Sequence, residues 1–233
     1  MQMDSFPEGY RALVIGASGG IGAALVETLR ADPRCASVTE LARSTIPPLD
    51  LTDPTSIGQA AAEVAGQGPF HLIINAAGVL HSDAFMPEKR LADLDHQQLL
   101  DTFQVNTFGP ALLLRHFCPL LDRQRGVLAM LSAKVGSIGD NRLGGWYSYR
   151  ASKAALNMLI KTAAIEVKRS QPNAVLLALH PGTVSSRLSQ PFRGSEIGRP
   201  ASEAADDLLR VIDGLGPEAS GGFYAYSGEG LPW

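Results

Sequence analysis

The sequence predicts an α/β fold in which a doubly wound parallel sheet forms a single domain, 1–233. Short runs rich in Val, Ile and Leu alternate with helical patterns from one end of the chain to the other. Several of these runs are apolar on both faces, as strands buried between two helix layers must be. A chain of 233 residues is also long enough to bury the core of such a fold in one unit.

Six apolar runs are expected to be strands, and five helical patterns lie between them. The strands are RALVIG, SVTELA, FHLIIN, GVLAML, AVLLAL and GFYAY, at residues 11–16, 37–42, 70–75, 126–131, 174–179 and 222–226. The helices are expected at residues 20–32, 53–66, 95–117, 149–170 and 202–214. Asp53 and Pro54 suit the cap and first position of the second helix, and Ser202 and Gly214 suit the cap and the stop of the last. Such alternation predicts right-handed crossovers, with ligands at the carboxyl ends of the strands.

Charge and composition argue against several function classes. Lys and Arg number 20 against 23 Asp and Glu, so the formal net charge is −3 and no basic block suits a nucleic acid. The first residues lack a secretory signal, and no apolar run approaches the about 18 residues that span a bilayer, so we expect a cytoplasmic protein without a membrane partner. Two cysteines are too few for a disulfide framework or a metal cluster.

The loop after the first strand carries a glycine motif within VIGASGGIGAAL. Gly16 permits a tight turn, Gly20 lets the backbone approach a pyrophosphate, and Gly22 lets helix and strand pack closely. The N-terminus of the helix that follows attracts the anion. Glycines also mark ordinary turns, but the position of these three between a buried strand and a helix predicts a dinucleotide cofactor.

The end of the second strand should select between NADP(H) and NAD(H). An acidic residue there binds a free ribose 2′-hydroxyl, whereas an arginine accommodates a 2′-phosphate. We place Ala42 at the selecting position with Arg43 next to it, which favours NADP(H) over NAD(H). Arg43 could instead be a solvated loop charge, and a boundary shifted by one position would bring Glu40 closer to the ribose.

Tyr149 and Lys153 stand four residues apart in YRASK, so on a helix their side chains share one face. A tyrosine can act as general acid for a carbonyl oxygen or as general base for an alcohol if its pKa of about 10 is lowered toward neutrality. A neighbouring cation such as Lys153 stabilises the phenolate. The YxxxK spacing also occurs by chance on helices, yet its place after a predicted cofactor loop indicates a proton-transfer site.

Five motifs in this order resemble the short-chain dehydrogenase/reductase family over nearly the whole chain. They are GASGGIG, NAAG, VN, YRASK and HPGTVSS, at residues 16–22, 75–78, 105–106, 149–153 and 180–186. Within that family the chain is most similar to the branch of C-factor and the sniffer-like carbonyl reductases. That similarity lies in GSIGDNRLGGWYSYRASKAALN and in the terminal GFYAYSGEGLPW.

The resemblance implies a Rossmann fold and a role for particular residues. Tyr149 would donate or accept the proton, Lys153 would bind the nicotinamide ribose and lower the tyrosine pKa, and Asn106 would hold a water in a proton relay. Asn75 and Asn106 could also simply satisfy buried backbone groups. The residues expected to bind the cofactor, besides Tyr149 and Lys153, are Gly16, Ser18, Gly20, Ile21, Gly22, Arg43, Asp50, Leu51, Asn75, Ala76, Gly78, Pro181, Gly182 and Val184.

Two positions depart from the family pattern. The family usually has Thr before the first motif glycine, where this chain has Ile15, and the loss of that side-chain hydrogen bond should cost stability more than function. The second departure concerns the catalytic serine. The catalytic serine of the family is typically three residues before the loop glycine matched by Gly136, and that position is Ala133. Ser137 could take over the role from a longer loop, which we favour slightly, or a bulge could turn Ser132 inward. Otherwise the enzyme is slow or inactive, because a lost substrate-binding hydroxyl removes transition-state stabilisation.

The leading hypothesis is an NADP(H)-dependent oxidoreductase that moves hydride between nicotinamide and a carbonyl or secondary alcohol, with Tyr149 completing the proton transfer. Substrate contacts are expected from Leu143, Trp146 and residues 185–199. The alternative is a dinucleotide-binding regulatory or signalling protein with little chemistry, because fold alone does not fix function. The resemblance also implies a homodimer or homotetramer, and the apolar positions of residues 155–167 could form its interface.

Overall fold

The computed structural model describes residues 1–233 and contains one sheet of six strands. In chain order these are β1 (Tyr10–Ile15), β2 (Cys35–Leu41), β3 (Leu72–Asn75), β4 (Val127–Leu131), β5 (Val175–His180) and β6 (Gly222–Ala225). They lie side by side in the order β2-β1-β3-β4-β5-β6, and every neighbouring pair is parallel. The predicted six-stranded parallel sheet is confirmed, with small differences at the strand ends.

Helices connect the strands, and the first turn of the second helix follows its sequence signal. The α-helices are α1 (Gly20–Arg30), α2 (Pro54–Val64), α3 (His96–Phe103), α4 (Gly109–Phe117), α5 (Tyr147–Val167), α6 (Gly194–Ile197) and α7 (Ala201–Gly214). Asp53 caps α2 as predicted, because its carboxylate accepts the N–H of Thr55 while Pro54 occupies the first helical position.

Two helix predictions were wrong in detail. The helix expected over residues 95–117 is divided into α3 and α4 by a π-helical turn, Gln104–Phe108. Pro110 has no N–H to donate to the carbonyl four residues earlier, so the regular ladder cannot continue across it. Ser202 lies inside α7 rather than capping it, because the chain turns into the helix at Pro200.

The two faces of the sheet are buried by different helices. Alternation along β1 sends Leu13 and Ile15 into a core formed with α2, α4 and α5, while Ala12 and Val14 enter a second core formed with α1 and α7. This explains why the strand sequences are apolar on both faces. None of the helices combines the length and apolarity that crossing a bilayer requires.

The strand order reverses direction between β1 and β3. The chain moves from β1 outward to β2, and then returns to the other side of β1 to build β3, β4, β5 and β6. In open parallel sheets the crevice at this switch point, beyond the carboxyl ends of the strands, is where ligands bind. The residues singled out from the sequence follow β1, β3, β4 and β5 at this edge.

Candidate functional site

The glycine loop between β1 and α1 lies at the switch point and packs against the end of β3. Gly16 has a φ of +81°, and a Cβ on it would lie 2.8 Å from the backbone nitrogen of Ala77. A Cβ on Gly22 would overlap the carbonyl of Gly16. Both glycines are therefore required for close packing of the loop, and Gly16 also for the turn.

The N-terminus of α1 offers unpartnered donors to an anion. The first N–H groups of a helix have no acceptor within that helix, and here they belong to Gly20, Ile21 and Gly22. Ser18 and Gly20 are exposed, and a Cβ on Gly20 would come within 3.5 Å of the Cβ of Ser186. The loop thus leaves a narrow, accessible cradle that fits a phosphate-bearing cofactor.

The end of β2 presents one free cation. Glu40, the acidic residue nearest the expected ribose position, forms an ion pair with Arg30 at the end of α1. Arg43 follows the buried Ala42 and is exposed. The pKa of Asp50 is held below its ordinary value, chiefly by the backbone N–H of Thr52 and also by the charge of Arg43.

Tyr149 and Lys153 lie on the first turns of α5, against the carboxyl end of β4. Lys153 Nζ donates to the Leu131 carbonyl at 2.9 Å and lies 5.8 Å from the centre of the Tyr149 ring. A Cβ on Gly78, which is exposed, would lie 3.4 Å from that nitrogen. The Gly78 backbone therefore borders the lysine and leaves room for a ligand beside it.

Asn106 ties three segments of the site together. Its Oδ1 accepts the Val79 N–H at 2.9 Å, and its Nδ2 donates to the Val79 carbonyl at 2.8 Å and to Ser152 Oγ at 3.1 Å. Ser152 Oγ in turn donates to the Tyr149 carbonyl at 2.8 Å. The other asparagine, Asn75, accepts the N–H of Ala77 at 3.1 Å. Both asparagines thus hydrogen-bond to backbone groups, which is the structural role that the sequence left open. The second lone pair of Asn106 Oδ1 can still accept a hydrogen bond from water.

An apolar wall packs around Tyr149. Leu80, Ala133 and Tyr149 form a buried cluster, against which Trp146 and Phe192 pack. The Trp146 ring centre lies 6.1 Å from that of Tyr149 and 5.0 Å from that of Phe192. Residues 185–199, from which substrate contacts are expected, therefore reach the Tyr149 cluster through Phe192. Leu143, expected there as well, is 92% exposed and does not belong to this wall.

The segment after β5 closes the site from the other side. Gly182 has a φ of +76°, and its missing Cβ makes room for the ring of Tyr226, which would lie 2.8 Å away. Val184 is buried, and its carbonyl accepts the hydroxyl of Ser189. The half-buried Pro181 and Gly182 are thus part of a fixed turn next to β6.

Comparison with known proteins assigns the family. A sequence profile described as short chain dehydrogenase matches residues 10–196. The chain belongs to the short-chain dehydrogenase/reductase family. This match covers the glycine loop, the Tyr149/Lys153 pair and the segment after β5, and it confirms the resemblance seen in the sequence.

Individual proteins support the same assignment. C-signal of Myxococcus xanthus is 36% identical over 169 residues, which is 71% of this chain and 94% of that protein. The carbonyl reductase sniffer of D. melanogaster matches with a TM-score of 0.83 and 25% identity, covering 98% of this chain and 100% of its own. The NADPH-bound carbonyl reductase from chicken fatty liver has the same TM-score and identity, over 98% and 96% of the two chains. The chain is accordingly a Rossmann-fold oxidoreductase of the short-chain dehydrogenase/reductase family.

Burial changes the ionisation of both residues in the family's YxxxK motif. Desolvation raises the pKa of the Tyr149 phenol above its ordinary value of 10.0. Desolvation also lowers the pKa of Lys153 from 10.5 to about 8. The direction for Tyr149 is opposite to the lowering that the family resemblance implies, because an apolar wall rather than the lysine charge dominates around the phenol.

The family's catalytic serine position is apolar in this chain. Ala133 packs against Tyr149, and neither neighbouring serine hydroxyl hydrogen-bonds to the phenol. Ser132 Oγ donates to Asn157 Oδ1 at 2.7 Å, about two helical turns beyond Tyr149. Ser137 Oγ accepts the Asp140 N–H at 3.1 Å, so its own hydrogen remains available.

Sequence reasoning did not single out two residues that the structure brings to this site. Phe192 lay within a segment expected to contact substrate, but nothing in the sequence indicated its packing on Trp146. Glu88 was not considered, although it is 2% exposed and binds the start of α5. A buried glutamate beside a helix N-terminus has no local sequence signature when 60 residues separate the partners.

Proposed function

We propose that this oxidoreductase is NADP(H)-dependent and transfers hydride between nicotinamide and a carbonyl or secondary alcohol, with Tyr149 as general acid and base. The observation that carries the proposal is the placement of Tyr149 and Lys153. Both are buried on one face of α5, at the sheet edge that also holds the glycine loop. Few other arrangements supply a protonated phenol and a cation next to a dinucleotide cradle.

The cofactor would supply the hydride, and the protein would hold it in place. The α1 N-terminus, with Ser18, Gly20 and Ile21, would bind the pyrophosphate. The adenosine side would be bound by Asp50, Leu51, Asn75, Ala76 and Gly78, and the nicotinamide side by Lys153, Pro181, Gly182 and Val184. Gly20 and Gly78 are both exposed, and this supports the placement because a ligand can approach their backbone closely.

NADP(H) is preferred over NAD(H) in this proposal. Glu40 is paired with Arg30, which places a second cation at the end of β2 and reduces the repulsion that the carboxylate would exert on a 2′-phosphate. Arg43 is exposed at the end of β2 and can pair with a 2′-phosphate. The NADPH-bound carbonyl reductase among the similar structures supports the same choice.

The raised pKa of Tyr149 keeps the phenol protonated near neutral pH, which is the form that carbonyl reduction requires. The phenol then carries its proton and can donate it to a carbonyl oxygen as hydride arrives. Lys153, with a pKa of about 8, is mainly cationic at pH 7 and can stabilise the phenolate left behind. Asn106 would hold the water that returns a proton to this pair.

A second donor to the substrate oxygen is assigned to Ser137 rather than Ser132. The hydroxyl hydrogen of Ser132 is engaged by Asn157, and the strand shows no register shift that would turn this residue. Ser137 is buried and keeps its hydrogen for donation. The walls formed by Leu80, Ala133 and Phe192 suit an apolar carbonyl compound.

The test combines cofactor binding and turnover. Purified protein is titrated with NADPH and NADH, and NADPH oxidation is followed by its loss of absorbance with apolar aldehydes and ketones. Wild type should bind NADPH more tightly and reduce at least one apolar carbonyl, while Tyr149→Phe should bind NADPH equally well and lose turnover. If Tyr149→Phe still reduces the carbonyl at the wild-type rate, Tyr149 is not the proton donor.

A regulatory or signalling protein that binds a dinucleotide is the second candidate. The similarity to C-signal and the apolar residue at Ala133 favour it. A regulator should keep its biological effect in Tyr149→Phe, whereas an effect that depends on catalysis should vanish in this variant.

The assembly is proposed to be a homodimer or homotetramer formed through α4 and α5. Leu156 and Ile160 of α5 face the sheet, but Met158 is 66% exposed, Ile165 is 55% exposed and Phe108 is 47% exposed. Light scattering coupled to size exclusion tests this state, and a monomer at micromolar concentration would contradict it.

A further inference from the structure

Glu88 is a buried acid outside the family's motifs. It comes from the segment between β3 and α3, its residue is 2% exposed, and its carboxylate is in none of the ion pairs of the structure. An ionised carboxylate out of water requires either a cation or several hydrogen-bond donors. The side chain finds donors at one place only, the N-terminus of α5.

Both the side chain and the backbone of Glu88 bind this helix start. The carboxylate accepts the Ser148 N–H, with Oε2 at 3.2 Å, and also accepts the Ser148 hydroxyl. The Glu88 carbonyl accepts the Trp146 N–H at 2.5 Å. The carboxylate thus lies where the free N–H groups and the dipole of a 21-residue helix stabilise negative charge.

The residue that Glu88 fixes has an unusual backbone. Trp146 has φ 52° and ψ 45°, in the left-handed region that a residue with a side chain rarely adopts. Gly144 and Gly145 precede it with φ of 64° and 66°, so three consecutive residues wind in the left-handed sense. Strain of this kind persists only where surrounding contacts hold it, and it clusters at functional sites.

Trp146 and Tyr149 are both placed by this junction. The indole packs on the Tyr149 ring and on Phe192, and the phenol follows three residues later on the same first turn. We propose that Glu88 is a positioning residue that clamps the left-handed entry to α5 and thereby fixes Trp146 and Tyr149 for proton transfer. This inference rests on the proposed function, because Tyr149 must be the proton donor for its position to affect turnover.

The test compares Glu88→Ala and Glu88→Gln with Asp93→Ala as a matched control. Asp93 accepts the N–H groups of Lys89 and Arg90 in the same segment but does not contact α5. Glu88→Ala should lower kcat for carbonyl reduction at least tenfold, since a small displacement of a catalytic group has large effects. Its NADPH Kd should stay within about twofold of wild type. Glu88→Gln keeps an oxygen for the Ser148 N–H, so its kcat should be close to that of wild type. The kcat of Asp93→Ala should equal that of wild type.

A second readout does not need turnover. The chain has two tryptophans, so Trp233→Phe leaves Trp146 as the sole tryptophan, whose emission can be excited selectively. In that background Glu88→Ala should red-shift the emission, because the indole loses its packing on Phe192 and Tyr149, and Glu88→Gln should not. If Glu88→Ala does not fold, Glu88→Asp, one methylene shorter, should show a smaller red shift and a smaller fall in kcat.

The outcomes separate this inference from the proposed function. If Tyr149→Phe turns over substrate as fast as wild type, the proposed function and the catalytic part of this inference are both wrong. Suppose that turnover depends on Tyr149, but that folded Glu88→Ala or Glu88→Asp has the kcat and the emission of wild type. This result overturns only the role of Glu88. A lower melting temperature without change in kcat or emission would make Glu88 a purely structural residue and would also contradict the proposal.

Discussion

Replacing Lys153 by methionine should stabilise the protein at neutral pH while it abolishes function. Lys153 is 4% exposed, and desolvation lowers its pKa from 10.5 to about 8. That interval corresponds to a destabilisation of about 3 kcal/mol at pH 7, where the lysine is charged in both the folded and unfolded states. The hydrogen bond from Nζ to the Leu131 carbonyl offsets about 1.5 kcal/mol of it. Lys153→Met, of similar shape, should therefore raise the free energy of unfolding by about 1–2 kcal/mol at pH 7.

The pH dependence of this difference gives the sharper test. As pH rises from about 8 to 10.5, the folded state releases its proton before the unfolded state does, so the wild type gains stability. The excess in free energy of unfolding of Lys153→Met over wild type should therefore shrink between pH 8 and 10.5 and then change sign. Below pH 8 both states are protonated, and the difference should stay constant.

Urea unfolding followed by far-ultraviolet circular dichroism measures both quantities, at pH 7 and at about pH 9.5. Lys161→Met is the matched control, because Lys161 is exposed on the same helix and lies outside the desolvated site. A variant that is less stable than wild type at pH 7, or a difference that does not change with pH, would refute the argument that Lys153 is held charged against a desolvation penalty.

Three further predictions concern the cofactor, the second donor and the apolar wall. Arg43→Ala should weaken NADPH binding about tenfold to a hundredfold and leave NADH binding unchanged in a fluorescence titration, because only NADPH carries the 2′-phosphate. Ser137→Ala should lower kcat for carbonyl reduction about tenfold or more in steady-state assays. Adding Ala133→Ser to Ser137→Ala should restore kcat, because it returns a hydroxyl to the face that packs on Tyr149. Phe192→Ala should raise kcat/KM for bulky ring ketones relative to small aldehydes, because it opens the wall beside Trp146.

Controls and contradicting outcomes are as follows. Arg193→Ala removes an exposed arginine away from β2 and should not change NADPH binding. Equal weakening of NADH and NADPH by Arg43→Ala would show that Arg43 does not contact a 2′-phosphate. If Ser137→Ala keeps its rate while Ser132→Ala loses it, the donor has been assigned to the wrong serine. An unchanged substrate ratio in Phe192→Ala would place the substrate elsewhere.

Most of the fold could be predicted from the pattern of apolar residues within short stretches of sequence. Strands such as β4 are apolar at every position because both faces are buried, and this pattern is legible without the structure. The spacing of Tyr149 and Lys153 likewise requires only helical geometry. Local signals also have limits: Ser202 is a good capping residue by type, yet Pro200 marks the entry to α7.

The rest of the site depends on contacts between distant segments. The environment of Tyr149 is set by Leu80, Trp146 and Phe192, which come from three separate loops. The reversal of the expected pKa direction arises there, since the packing rather than the YxxxK motif determines how much water reaches the phenol. The contact of Glu88 with Ser148 spans 60 residues and becomes visible only once the chain is folded.

The central claim is that Tyr149 delivers the proton for NADPH-dependent carbonyl reduction. NADPH oxidation should be measured with apolar aldehydes and ketones for wild type and Tyr149→Phe side by side, after both are shown to bind NADPH with similar Kd. Turnover by wild type and its loss, by about a thousandfold or more, in Tyr149→Phe is the predicted result. Similar turnover by the two proteins, or tight NADPH binding by wild type without turnover of any carbonyl, would contradict it.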